Sequence, residues 1–355
     1  MNIFILTIHN PNISYGPNIR LEGFLKSPEM LGENIYRLPF RNDKKFIKLN
    51  TIKILFKSLF HIIKNRKKID LIHVVTPPSY TAPIAKFAKR FFKIPYIVDI
   101  GDPYAENMAE LKGFSYQSLR YRFLKWLDNS LYKKADQLVL SSDGLSKYLP
   151  ENIKQTTILT GLVHQNDIEK TKNHTNSFNK KCLFLGQYGA LQKFEYIFEV
   201  FSEAIKHDKE IMLDVIGVGD KKKFEGSNPN IKFYDPIPQN KIFDKIKHYS
   251  CGIVSLKLNQ GLDYAIPTKL LTYLSYGLPI FGTGGESSKK LIDKAKTGYI
   301  SSEYNIQKDV LELFKLMGDK NRILEFSKNA LVFAEKNLTF EIAGACMHKI
   351  YKALI

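Results

Sequence analysis

Long uncharged hydrophobic runs are missing from this 355-residue chain, and no segment approaches the length needed to cross a bilayer. Cysteine is scarce as well: Cys182, Cys251 and Cys346 are odd in number and far apart, with no C-x-x-C and no histidine pair at metal-ligand spacing. A disulfide framework and a zinc module are thereby disfavoured, and a reducing compartment is expected. The opening apolar run Ile3–Ile8 is short and lacks a basic leader, so no signal peptide is expected. Acidic residues are under-represented, with 35 Asp+Glu against 53 Lys+Arg, a formal net charge of +18. There is no Walker pattern, no complete G-x-G-x-x-G and no D-x-D, which speaks against an ATPase, a dehydrogenase and a metal-held nucleotide. What is present is globular. Apolar residues at 44% and aromatics at 12% exclude a disordered or low-complexity chain, and the length fits two domains.

The charge is uneven. Residues 1–165 carry 25 Lys+Arg against 13 Asp+Glu, two-thirds of the excess on less than half of the chain. Lys44–Lys68 holds nine basic residues and no acid. Within it Ile52, Leu55, Phe56, Leu59, Ile62 and Ile63 recur at helical spacing, which predicts an apolar stripe. Lys53, Lys57, Phe60 and Lys64 form a neighbouring stripe suited to an anionic membrane surface. A solvated face on a helix packed against its own domain accounts for the same pattern. Further basic blocks follow at Lys86–Lys93 and at Arg120, Arg122, Lys125, Trp126, Lys133 and Lys134. Charge alone would also suit nucleic acid, but no recognition module is visible.

Short continuous apolar runs at Ile3–Ile8, Leu71–Val75, Tyr96–Ile100, Gln137–Ser141 and Thr157–Thr160 predict strands, with helices over Ser79–Phe92 and Tyr116–Lys134. Runs of this kind between helices indicate a parallel sheet covered on both faces. Gln165–Lys181 is polar and unpatterned and reads as a linker. The pattern then restarts: strands are expected at Cys182–Leu185, Met212–Ile216, Ile231–Tyr234, Gly252–Leu256 and Pro279–Phe281. Helices are expected over Phe194–Lys206, Gln239–Tyr249 and Thr268–Tyr276, then through Asn321–Ile355. There the small patch Ala343-Gly344-Ala345 would admit another element closely. Two α/β units in tandem are expected.

In such sheets, ligands collect where strands end and helices begin, because free backbone N–H groups attract anions there. Three glycine turns of the second unit have that setting: Gly186-Gln187-Tyr188-Gly189, Gly217-Val218-Gly219 and Gly282-Thr283-Gly284-Gly285. Each is as well explained by chain geometry alone, but together they favour a diphosphate-bearing ligand.

The segment Ala265-Ile266-Pro267-Thr268-Lys269-Leu270-Leu271-Thr272-Tyr273-Leu274-Ser275-Tyr276-Gly277-Leu278-Pro279-Ile280 resembles the P-S-K-x-x-E-Y-x-A-x-G-x-P-V stretch of family 4 glycosyltransferases, particularly those of bacterial polysaccharide assembly. Gly186-Gln187-Tyr188-Gly189-Ala190-Leu191-Gln192 is similar to their G-N-x-G-x-x-Q turn. Ile216–Gly219, Phe233–Ile237 and Gly284–Glu286 fall in the family's order, as does Pro95–Tyr104, similar to a D-x-R-D-P-W element. The resemblance implies two Rossmann-like domains facing each other across a cleft, the GT-B fold, with a C-terminal helix crossing back. It implies an acceptor-binding, membrane-facing domain at 1–165, a nucleotide-sugar domain at 166–335 and the returning helix at 336–355.

By that resemblance Lys193 neutralises charge on the leaving nucleoside diphosphate, and Thr268 and Lys269 contact phosphate from a helix start. Gln187, in a place often held by arginine, can hydrogen-bond a phosphate without neutralising it. Gly217 and Gly219 let the backbone approach the ligand, and Ile237 lies towards the base. Two glutamates eight positions apart are usual in the family; Tyr264 and Thr272 occupy those places here, with Asp263 beside the first. In the first domain, Asp102 is the candidate for handling the acceptor hydroxyl, as a base or by orienting it, although an Asx turn before Pro103 is a competing reading. Gly16 lets the first loop approach a ligand, unless it is a plain turn glycine.

The implied protein is a cytoplasmic, peripherally membrane-associated, retaining glycosyltransferase that needs no metal or other cofactor. It would transfer a hexosyl unit from a UDP-linked donor to a lipid-linked saccharide, and nucleic acid is not an expected partner. A sugar-nucleotide epimerase on the same fold, or a non-catalytic glycosyltransferase-like partner subunit, are the alternatives.

Overall fold

The computed structural model describes residues 1–8, 16–38, 47–75, 78–172, 178–189, 191–224, 226–238 and 241–355. It divides into two units, one of residues 1–161 with 340–355 and one of 162–339.

In unit 1, six strands form an all-parallel sheet in the order β2-β1-β3-β4-β5-β6. They are β1 (Asn2–Leu6), β2 (Asn34–Arg37), β3 (Leu71–Val75), β4 (Tyr96–Ile100), β5 (Gln137–Leu140) and β6 (Gln155–Thr157). β3 and β4 are buried at every position, as continuous apolar runs require of strands covered on both faces. The helices are α1 (Gly16–Leu25), α2 (Pro28–Leu31), α3 (Ile47–Asn65), α4 (Pro78–Phe92), α5 (Tyr104–Lys112) and α6 (Leu119–Tyr132), joined by α14 (Phe340–Lys352). The strand expected at Thr157–Thr160 lies slightly earlier, as β6, and β2 is a strand that no continuous apolar run marks.

Alternate residues of β1 point to opposite faces. Ile3 and Ile5 join Leu21, Phe24, Ala343, Met347 and Tyr351 in a core beneath α1 and α14. Phe4 instead stacks on His61 of α3, with ring centroids 5.1 Å apart. α3 touches α4 and α4 touches α6, so these three helices cover that second face. The returning helix is seated as its small-residue patch implied. A Cβ on Gly344 would lie 1.9 Å from Ser27 Oγ and 2.8 Å from the Phe24 carbonyl oxygen, so only glycine lets α14 come this close to α1.

Only part of the apolar stripe expected on α3 packs. Ile62 faces inwards with Ile54 and Ser58, and Leu55 and Leu59 are half-buried, whereas Ile52, Phe56 and Ile63 of that stripe are exposed, as is Phe60. The helix is apolar over more than half its circumference. The stacking of His61 on Phe4 fixes which part meets the sheet.

A buried polar chain ties α14 into this unit. Arg20 Nε donates to Asp99 Oδ1 at 2.8 Å, and Arg20 Nη1 donates to the Ile158 carbonyl at 2.7 Å. Tyr351 OH lies 2.6 Å from His73 Nδ1, while His73 Nε2 is 4.0 Å from Asp99 Oδ2. With Nε2–H towards the carboxylate, Tyr351 donates to Nδ1. Burial pulls the His73 pKa down to about 4, against the smaller opposing effect of Asp99. The folded value therefore lies below the unfolded one, so this contribution is complete above about pH 6.5 and is lost as pH falls towards 4. Thermal melts of the wild type should drop across that window. His73→Gln should flatten the drop, and an unchanged slope would remove His73 as its source.

In unit 2, β7 (Lys181–Leu185), β8 (Met212–Ile216), β9 (Ile231–Tyr234), β10 (Cys251–Ser255), β11 (Ile280–Thr283) and β12 (Gly298–Ser301) form a second all-parallel sheet. Its order is β12-β11-β10-β7-β8-β9. The helices are α7 (Gln165–Lys172), α8 (Phe194–His207), α9 (Ile242–Ile246), α10 (Thr268–Ser275), α11 (Glu286–Ala295), α12 (Ile306–Met317) and α13 (Lys320–Asn337). The stretch that reads as a linker opens with α7, which packs on α13. The helix expected over Gln239–Tyr249 is the shorter α9, with residues 239–240 outside the described residues. Both units are thus helix-flanked parallel sheets, the Rossmann-like arrangement that the motifs imply.

Candidate active site

The strand order of unit 2 reverses between β7 and β10. From β7 the chain winds outwards through β8 and β9; from β10 it winds the other way through β11 and β12. The helices after these two central strands diverge, and the crevice at the strands' carboxyl ends is where doubly wound sheets bind ligands. Three sequence candidates come together there: Gln187 after β7, Lys193 at the start of α8, and Lys269 in the first turn of α10.

α10 is placed by Tyr273. Its hydroxyl accepts from the Leu185 N–H at 2.7 Å and donates to the Ile253 carbonyl at 3.3 Å, joining the helix to both central strands. Its ring occupies the space where a Cβ on Gly252 would fall, 2.4 Å from the ring's Cγ. Lys269 lies one turn earlier on the same helix face. Its Nζ sits 3.7 Å from the centroid of the buried Phe184 ring and donates to the Gln187 carbonyl at 3.2 Å and to Gln192 Oε1 at 3.4 Å. These partners are neutral, and withdrawal of the ammonium from water pulls its pKa down to about 7. A lysine whose hydrogen-bond partners are all neutral is prepared for an incoming anion.

The β7–α8 loop is pinned over β10. The Lys193 N–H donates to the Ser255 carbonyl at 2.7 Å, Lys257 N–H donates to the Leu191 carbonyl at 3.1 Å, and Ser255 Oγ donates to Gln192 Oε1 at 3.3 Å. Gln192 therefore bridges Lys269 and Ser255. Its place at the end of the G-N-x-G-x-x-Q-like turn was the available signal for this role. The roles of Tyr273 and Phe184 had no such signal.

At the end of β8, Gly217 packs against the Gly186 carbonyl, where its own Cβ would lie 1.8 Å from the oxygen; Gly186 itself has φ +88°. Gly219 lies against the Tyr188 ring. Both glycines are needed by the protein's own packing, whatever binds beside them. Ile237 is half-buried after β9. Thr268 opens α10, and Thr272 Oγ1 donates to the Thr268 carbonyl at 3.0 Å, which leaves its oxygen lone pairs as acceptors. Tyr264 is buried, whereas Asp263 is half-buried against the third glycine turn: a Cβ on Gly285 would meet the Asp263 Cα at 2.7 Å. Ser287 N–H also donates to the Asp263 carbonyl.

In unit 1, Asp102 is half-buried at the end of β4, immediately before α5. Nearby Asp128 accepts from the Ala105 N–H at 3.0 Å, and burial pushes its pKa up to about 7. Gly16 is exposed at the start of α1. Lys53, Lys57, Phe60 and Lys64 are all exposed on α3. Among the described residues, no group of three or more His, Cys, Asp or Glu could hold a metal ion, and no helix is long and apolar enough to cross a membrane.

No family model matches the sequence. An uncharacterized glycosyltransferase of Methanocaldococcus jannaschii is 23% identical over 342 residues, covering 90% of this chain and 84% of the relative. Sucrose-phosphate synthase from Thermosynechococcus elongatus superposes with a TM-score of 0.76 at 12% identity, over 99% of this chain and 98% of that one. Anabaena HepE in complex with UDP gives a TM-score of 0.73 at 10% identity, over 99% and 100% of the chains. WaaG, a glycosyltransferase involved in lipopolysaccharide biosynthesis, gives 0.66 at 14% identity, over 99% of each. Two Rossmann-like units in series and a likeness to these solved structures over nearly the whole chain give this chain the GT-B fold.

Proposed function

We propose that this chain is a nucleotide-sugar-dependent, retaining glycosyltransferase that moves a hexosyl unit from a UDP-linked donor to a lipid-linked saccharide in bacterial surface-polysaccharide assembly. The observation that carries the reading is the position of Lys269: a lysine with a depressed pKa at the switch point of an α/β sheet, beside the starts of α8 and α10. Helix starts and lysines attract a diphosphate together. The UDP and UDP-glucose complexes of HepE support a uridine nucleotide as the donor's carrier.

Lys193 and Lys269 stabilise the charge that gathers on the diphosphate as the anomeric C–O bond breaks. The acceptor oxygen forms its new bond to the anomeric carbon on the face that the diphosphate leaves, and the acceptor proton passes to the leaving phosphate oxygen. Asp102 orients the acceptor hydroxyl, with Gly16 beside the acceptor or donor. Gln187, Thr268 and Thr272 offer hydrogen bonds to phosphate or ribose, Gly217 and Gly219 line the nucleotide, Ile237 meets the base, and Asp263 and Tyr264 lie towards the donor sugar. The α3 face bearing Lys53, Lys57, Phe60 and Lys64 rests on the anionic membrane that holds the acceptor.

Incubation with a panel of UDP-sugars and a lipid-linked acceptor should give transfer with UDP release and retained anomeric configuration. Conversion of the donor without an acceptor would favour an epimerase instead. Absence of both transfer and donor binding would overturn the proposal.

A further inference from the structure

The face of unit 1 formed by α3, α4 and α6 carries a charge and apolar pattern wider than α3 alone. The three helices contain ten Lys and Arg residues and one carboxylate, Asp128, which is buried. Ile52, Phe56, Phe60 and Ile63 project from α3 between exposed lysines, and Phe91 projects from α4 beside Arg90. On α6, Leu119, Phe123 and Trp126 follow one another at i, i+4 and i+7, with exposures of 81%, 59% and 62%. The Phe123 and Trp126 rings stack, centroids 6.0 Å apart, and Arg120 and Arg122 are exposed beside them.

The inward side of α6 is firmly held. Lys125 pairs with Glu106 and donates to the Tyr148 carbonyl at 2.7 Å, while Leu131 and Tyr132 are buried. The aromatic ridge is therefore the outer side of a fixed helix. Helices that neighbour one another on a sheet face can meet a common plane, and all three offer apolar groups flanked by cations and no exposed carboxylate. A bilayer surface with anionic headgroups matches both parts of that pattern. The apolar ridge enters the interface, where tryptophan is especially well placed, and the cations meet the headgroup charge.

We infer that α6 is a second membrane-inserting element, its Leu119-Phe123-Trp126 ridge entering the same anionic bilayer surface on which α3 rests. The inference rests on the membrane placement in the proposed function and widens it from one helix to a three-helix footprint.

Trp126 is the chain's single tryptophan, so its fluorescence reports directly on the ridge. Titration of the full chain with phosphatidylcholine vesicles containing phosphatidylglycerol should shift its emission to the blue and protect it from acrylamide; pure phosphatidylcholine vesicles should do neither. The double variant Leu119→Ser/Phe123→Ser should weaken vesicle partition by roughly tenfold or more, with circular dichroism and UDP affinity as in the wild type. Neutralising Lys53, Lys57 and Lys64 to Gln should weaken partition as well, by loss of headgroup attraction.

Sedimentation with anionic vesicles without any change in Trp126 emission would confine membrane contact to α3 and overturn the inference. A blue shift that depends on protein concentration in the absence of lipid would assign the ridge to self-association, with the same consequence. Unchanged sedimentation of both variants would remove the membrane placement itself. Loss of UDP binding in the wild type would instead overturn the transferase reading, which the fluorescence change does not measure.

Discussion

Replacing Lys269 by Met is expected to lower the transfer rate by about a hundredfold or more while leaving unit 2 folded. Met keeps most of the side-chain length and its contact with Phe184, and removes the charge. No ion pair is broken, because the lysine's hydrogen-bond partners are the Gln187 carbonyl and Gln192. The titration of this group makes the test sharper. Its pKa is pulled down to about 7 in the fold against 10.5 for the unperturbed side chain. Between those values the unfolded chain holds a proton that the folded one lacks, so stability rises with pH across that window. Below about pH 7 the fold carries the full cost of a desolvated charge, and the Met variant should melt at higher temperature than the wild type at pH 6. Donor binding works in the opposite direction: a diphosphate beside Nζ favours the charged form, so UDP binding at pH 8 should draw up to one proton from solution. Calorimetry in buffers of different ionisation enthalpy would measure that uptake, which Lys269→Met should abolish. Uptake persisting in the variant would assign the proton to another group.

The second large effect is expected at Gly217. Alanine there would place its Cβ 1.8 Å from the Gly186 carbonyl oxygen, a backbone atom held because the Gly186 N–H donates to the Ile216 carbonyl at 2.9 Å. The neighbour cannot rotate away as a side chain would, so β7 and β8 must separate at their ends. Over-packing of that kind costs about 3 kcal/mol, and it falls on the strand ends that lead to Gln187. Gly217→Ala should therefore lose both thermal stability and UDP affinity. Gly189 provides the contrast. A Cβ there meets nothing within 4 Å, so Gly189→Ala should leave the melting temperature within about 1 °C of wild type, inside the usual range for surface substitutions. Equal melting of wild type and Gly217→Ala would mean that the β7–β8 junction yields, contrary to this packing.

The parts legible in the sequence were those whose neighbours in space are also their pattern in the chain. β3, β8 and β9 run through residues 71–75, 212–216 and 231–234, as their apolar runs imply. β2 has no such signature because it is an edge strand, alternately exposed along Asn34-Ile35-Tyr36-Arg37, with too few apolar residues to form a run. β12, at the edge of the other sheet, is equally short. α7 buries only Ile168 and Thr171, so its polar sequence carries no helical period. On α3 the spacing revealed a helix but not its orientation, because apolar residues lie on both the packed and the exposed sides.

At the site, Lys193 and Lys269 were legible as motif residues. The contacts that place Lys269 were not, since the Tyr273–Leu185 hydrogen bond spans 88 positions of chain and the fit of Tyr273 into Gly252 leaves no local signature. Local pattern does not encode contacts of that range.

The seating of α14 against Ser27 and Phe24 has a consequence for the order of synthesis. Unit 2 is a continuous stretch, residues 162–339, and all of its strands and helices have been translated once Thr339 is in the chain. Unit 1 begins earlier but needs Ala343, Met347 and Tyr351 to close its core. Until residues 340–355 leave the ribosome, the face beneath α1 stays uncovered and His73 lacks its tyrosine partner. The half translated first is thus completed last, and a nascent chain must keep that apolar surface from other polypeptides for as long as unit 2 takes to be made.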